Sequence, residues 1–223
     1  MTRLTLILII SLSAYTSTSL YAQEANYELY YQRIMEAEKM IASENYDEAL
    51  KLYDAVLADY SFIFRRDCII AIQTALHLDQ ADIAFEFLRK GVQAGWDIKK
   101  IKKNDYLKPM KTLPEWEKFE IEYPEMRQDY EASIDEELRN RVKKMFSKDQ
   151  KKAMGALLRL GSKSQDNYAE KKFSPHSEEQ IKELRQIMSE YGYPGEKLIG
   201  NDYWTSTILS HHNSISQNYA QND

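Results

Sequence analysis

Apolar residues recur at steps of three and four along most of the chain, the spacing of one helix face. "IMEAEKMI" (Ile34–Ile41) and "EALKLYDAVL" (Glu48–Leu57) show it first, and the pattern returns 35 residues later in "IIAIQTAL" (Ile69–Leu76) and "IAFEFLRKGV" (Ile83–Val92). Ile34 falls on Ile69, Ile41 on Leu76, Ala49 on Ala84, Tyr53 on Leu88 and Leu57 on Val92. "SENYDE" and "HLDQAD" are short polar joints, so two helical hairpins are predicted. Trp96, Tyr106, Leu107, Leu113, Trp116 and Phe119 then predict a short helical pair that covers the open end of the second hairpin.

A second region is expected from Pro124 onward. Ile134, Leu138, Val142 and Met145 form a helical stripe. Asp149 follows four residues after Met145. On a continuous helix it would sit on the apolar face, and a carboxylate there must be paired, hydrogen-bonded or facing a cleft. Alternatively the helix breaks at "SKDQ", with Ser147 as N-cap and Gln150 closing a capping box. "GSKSQDNYAEKKFSPHS" reads as a loop. Ser177 with "EEQ" reads as a capping box that opens a helix through Ile181, Leu184, Ile187, Met188 and Tyr191. Gly192 should end that helix in a left-handed turn. Pro194-Gly195 marks a turn, and Asp202 can cap a last helix carrying Trp204, Ile208, Leu209, His211 and His212.

The first 22 residues differ from the rest. They hold one cation (Arg3), no acid, a mostly apolar run from Leu4 to Leu12 and a small polar stretch ending at Ala22. These are signal-peptide proportions, and the run is short for a bilayer span. Cleavage before Gln23 and an exported, periplasmic or extracellular protein are expected; an uncleaved anchor is the alternative. No stable membrane insertion is expected after cleavage.

Composition narrows the class. Glycine (7) and proline (5) are scarce and charged residues reach 29 %, which favours an all-α fold over a sandwich or barrel. The net charge of −5 is a poor match to nucleic acid. The basic cluster Lys99, Lys100, Lys102 and Lys103 is followed by Glu115, Glu117, Glu120, Glu122 and Glu125, which should neutralise it. Cys68 is the only cysteine, so no internal disulfide forms, and in "RRDCIIAIQ" it reads as a small buried apolar residue.

Two resemblances add to this reading. "NYDEALKLYDAVLADY", with small Ala49 and bulky Tyr53, resembles the second half of a tetratricopeptide repeat. That likeness covers residues 26–95, and its second copy is degenerate, with Leu88 in the aromatic place. It implies a surface for a protein or peptide partner. The segment from Leu138 to the end resembles a bacterial domain family of unknown function marked by a "DQ" pair, a "GWPG…vG" turn and a late "W…vQH.D" helix. Here these are Asp149-Gln150, "YGYPGEKLIG", and Trp204 with "ILSHHN". Lys152 stands in place of arginine, Tyr193 of tryptophan, Ser210 of glutamine and Asn213 of aspartate. The likeness implies a domain, one that usually runs further than this chain, but no reaction. The expected organisation is a signal peptide over 1–22, tetratricopeptide-like hairpins with capping helices over 23–123, and a small α-helical domain over 124–223.

The candidate chemistry lies at the C-terminal end. Neighbouring residues on a helix point about 100° apart, so His211 and His212 cannot share one small site. His211, seven after Trp204 and three after Ile208, should be buried; His212 should lie nearer solvent. One function expected is partner binding or scaffolding without catalysis, with Gln150, Trp204 and His212 as ligand- or partner-binding residues. The other is a small hydrolase-like enzyme with His211 as base and Asp149 or Asn213 orienting it. No nucleophile elbow, phosphate loop or closed ligand set is legible, so neither a cofactor nor a metal is expected. Convergence of Asp149 and His211 on one site would favour the second reading.

Overall fold

The structure, a computed structural model, describes residues 26–215; the expected signal peptide over 1–22 lies outside them, as do residues 216–223. The described residues are all-α, with no strand. Helices α1 (Tyr27–Ala42), α2 (Tyr46–Asp59), α3 (Arg65–His77) and α4 (Ala81–Gln93) form two hairpins. α5 (Ile98–Lys103) and two single 3-10 turns lead into α6 (Pro114–Ser133). α7 (Glu136–Leu157), α8 (Ser162–Tyr168), a π-helical turn (Ala169–Phe173), α9 (Ser174–Tyr191), α10 (Glu196–Ile199) and α11 (Trp204–Ile215) complete the chain. Among the described residues no helix is long and apolar enough to cross a membrane.

The 35-residue offset is also an offset in geometry. α1 ends with Glu44 at φ 59° and α3 with Asp79 at φ 55°. Each turn closes with the same pair of bonds: Asn45 N–H to the Met40 carbonyl and Glu44 to Ile41, then Gln80 to Ala75 and Asp79 to Leu76. This is the left-handed helix stop that satisfies the last carbonyls. Ala49 and Ala84 are fully buried, as are Tyr53 and Leu88. Cys68 is buried too, and burial pushes its thiol well above the usual range, which suits a packing role.

α6 packs on α4 and closes this first core with Trp116 and Phe119. Trp96 and Leu107 are buried as expected, whereas Tyr106 lies exposed at the surface. Of the basic cluster, Lys102 pairs with Glu120 at 2.6 Å, whereas Glu115 and Glu122 are taken up by Arg89 on α4. α6 runs through Pro124 to Ser133, and the second core begins only at Leu138.

The two cores meet at a seam. Tyr130 on α6 lies against Gly95 and Gly200. Arg139 donates to the Ile199 carbonyl, and Asp135 N–H to the Leu198 carbonyl at 3.1 Å. α3 has no side-chain cap of its own at Phe64. Instead Glu196, from the opposite unit, accepts from Arg65 N–H at 2.8 Å, placing a carboxylate at the positive end of α3. Arg65 reaches back to Asp202 at 2.7 Å. Asp202 is therefore committed to the seam, and Asn201 caps α11, accepting from Tyr203 and Trp204 N–H.

The stretch after Gly161 is helical rather than a loop. Its proline, Pro175, falls in the first turn of α9, directly after the π-helical turn. Ser177 is consequently inside α9 and buried, not an N-cap. Gly192, at φ 83°, does end α9.

Candidate functional site

Three helices share the second core: α7 through Leu138, Val142 and Met145, α9 through Ile181, Leu184 and Ile187, and α11 through Trp204 and Ile208. At one level all three stripes turn polar. α7 continues from Met145 to Asp149, the apolar stripe of α9 is preceded within that helix by His176, Ser177 and Gln180, and α11 continues from Ile208 to His211 and His212. The site is this polar layer at the end of an apolar core.

α7 is unbroken through "SKDQ". Ser147 bonds back to the Lys143 carbonyl at 2.8 Å and caps nothing. Asp149 is fully buried. Its Oδ2 accepts from His211 Nδ1 at 2.5 Å and from Gln150 Nε2 at 3.3 Å. A carboxylate only accepts, so this contact places the proton on Nδ1 and leaves Nε2 as the nitrogen available to a substrate. The His211 side chain is 28 % exposed and stands edge-on to Phe173. Burial pushes the Asp149 carboxyl upward, and the His211 bond opposes that shift.

Beside this pair, a cleft of about 380 Å³ opens between α7 and α9, lined by Met145, Lys148, Lys152, His176, Gln180 and Glu183 among others. Gln180 donates to the Met145 carbonyl at 2.7 Å. Three buried polar atoms have no protein partner here: Asp149 Oδ1, His176 Nε2 and Gln180 Oε1. Buried polar atoms are nearly always paired, so two on residues that line the cleft, with Asp149 Oδ1 nearby on α7, mark a place suited to a polar guest. Among the described residues no group of three or more His, Cys, Asp or Glu side chains is placed to hold a metal ion.

The two adjacent histidines have exchanged their expected roles. His212 is 4 % exposed, and its Nδ1 lies 3.2 Å from the buried Ser177 hydroxyl; His211 is the one that meets Asp149 and keeps part of its ring exposed. Steps of three and of four from Ile208 both stay on one helix face. The packing of α11 against α7 and α9 selects the four-step line Trp204, Ile208, His212. Trp204 is a core residue, stacked with Phe146 and under Arg139. Asn213 is exposed and takes no part in the Asp149–His211 contact. Of the expected site residues, Asp149, Gln150 and His211 come together; Trp204, His212 and Asn213 do not join them. His176 and Gln180 were not expected. Their signal was a polar pair at a four-residue step continuing the line to Leu184.

Burial, then Lys152, holds the His176 imidazole below its usual range, with Asp149 opposing. The unfolded chain therefore takes up this proton first as pH falls through 6.5, and acidification favours unfolding. The native protein should lose stability from pH 7 to 5 more steeply than His176→Gln, read from urea midpoints. Parallel curves would mean that His176 stays solvated.

Compared with protein-family models, with curated proteins and with solved structures, the chain matches none.

Proposed function

We propose that the C-terminal unit is an acid–base site in which Asp149 orients His211 to activate a water for hydrolysis of a small polar substrate. The hairpins α1–α4, tetratricopeptide-like in sequence and repeated in geometry, form a platform for a protein or peptide partner of an exported protein. The observation that carries the site is the 2.5 Å contact from His211 to a fully buried Asp149. A buried carboxylate that fixes the tautomer and direction of a partly exposed imidazole is the arrangement a general base needs. The unpaired atoms of His176 and Gln180 supply hydrogen-bonding capacity beside it.

A second reading is binding without chemistry. It is favoured by the buried Ser177 hydroxyl, which is tied to His212 Nδ1 rather than to His211.

The test is turnover of small chromogenic esters and amides by the full chain. His211→Gln keeps a donor for Asp149 and should keep the fold. Loss of the base should cut turnover by about a hundredfold or more, the usual worth of general-base catalysis. Equal turnover in the native chain and the variant would remove His211 from the chemistry. No turnover, with saturable ligand binding that His211→Gln abolishes, would establish the second reading.

A further inference from the structure

Residues 143–172 carry nine Lys and Arg against three Asp and Glu, in a chain whose net charge is −5. The fold gathers four of these cations around one groove. α7 supplies Lys152, the turn after α7 supplies Arg159, and the π-helical turn supplies Lys171 and Lys172. The groove holds about 300 Å³; Ser164, Asn167 and Tyr168 complete its lining, and no acid lines it. Among the described residues none of the four cations has a carboxylate at ion-pair distance.

Local structure explains why they converge. Gly155 has no side chain, and a Cβ there would collide with the Tyr168 ring, so α8 lies directly on α7 at this point. Arg159 is positioned over Tyr168, 4.8 Å from its centroid. The π-helical turn adds a residue to the helix, so Lys171 and Lys172 remain exposed at the groove while Phe173 turns inward to His211. Such widened turns recur at functional sites. Four like charges held together repel one another, and a bound dianion relieves that repulsion.

We propose that this groove binds the phosphate group of a phosphorylated ligand. Arg159 presents a planar fork of donors to two phosphate oxygens, the lysines act as point charges around the rest, and Ser164 and Asn167 offer neutral hydrogen bonds. A doubly charged phosphate monoester matches four cations better than a single carboxylate does. Lys152 also lines the cleft that holds His176 and Gln180, so a ligand anchored here by its phosphate can extend toward the polar layer. The binding does not depend on His211 acting as a base. The ester can be soluble or a lipid headgroup, since Leu157, Leu158 and Leu160 stand exposed at the adjoining corner, Leu160 at 94 %.

The experiment titrates the full chain with inorganic phosphate at constant ionic strength and follows binding by amide chemical shifts. Saturable binding is expected. The double substitution Lys171→Ala/Lys172→Ala, or Arg159→Ala alone, should weaken it at least tenfold with circular dichroism unchanged, while His211→Gln leaves it intact. Linear, unsaturable shifts, or equal affinity in the native chain and both groove variants, would overturn the proposal. Loss of phosphate binding in His211→Gln would also overturn it by moving the anion to the polar layer. Vesicles containing phosphatidic acid identify the source. Sedimentation with them, lost in Leu158→Ser/Leu160→Ser while free phosphate still binds, supports the proposal with a lipid headgroup as ligand. Saturable phosphate binding without sedimentation supports it with a soluble ester.

Discussion

Replacing His212 by alanine is expected to destabilise the protein by about 2–4 kcal/mol, from a cavity in a packed core and a buried hydroxyl left without its partner. His212 is buried to 4 % exposure and meets Ser177, itself fully buried. His211→Gln, which retains a donor toward Asp149, should stay within about 1 kcal/mol, as partly exposed changes usually do. His211→Ala is a separate case because it strands the Asp149 carboxylate. Burial already holds that carboxyl above its usual range, so the stranded form is costly at neutral pH and is relieved as pH falls and Asp149 takes a proton. The cost of His211→Ala should therefore shrink from pH 7 to pH 5, measured as the difference in urea midpoints. Equal losses for His212→Ala and His211→Gln would show that α11 is rotated from the orientation described.

Gly200→Ala is expected to be more damaging, about 3–5 kcal/mol, the sum of a left-handed backbone cost and overpacking. Gly200 sits at φ 61°, ψ 27°, where a Cβ is strained. That Cβ would run into the Tyr130 hydroxyl and lie 2.7 Å from both Arg139 and Ile134. None of these can retreat easily. Tyr130 is buried at the seam under Arg127, and Arg139 is bound to the Ile199 carbonyl. The damage should reach the join between the two cores, so thermal unfolding of Gly200→Ala should become broader or split into two transitions. An unchanged midpoint would mean that the α10 corner is free to move away from α6.

The features legible along the chain follow from properties that act locally. Helix-period stripes and scarce breakers specify an all-α chain, because each helix must bury one face whatever it packs against. The 35-residue offset is repeated in Glu44 and Asp79, since the same local stop recurs at the same place in each hairpin. Gly192 ends α9 for an equally local reason. Asp149 was marked as an anomaly on an apolar face, and that mark led to the site.

The tertiary structure decided the rest. Whether Asp149 capped a helix or lay within one turned on α7 continuing, which depends on α9 and α11 packing along its length. Whether His211 or His212 was buried turned on the rotation of α11 about its axis, and three- and four-residue steps from Ile208 cannot distinguish the two. His176 and Gln180 on α9 meet Asp149 from α7, and the groove's cations come from α7, the turn after it and the π-helical turn, so no short motif spells either grouping. Glu196 capping α3 from 131 positions away is the same kind of fact. Local pattern specifies which face of a helix is buried, but only the partner helices specify which polar side chains at the end of that face are brought within reach of one another.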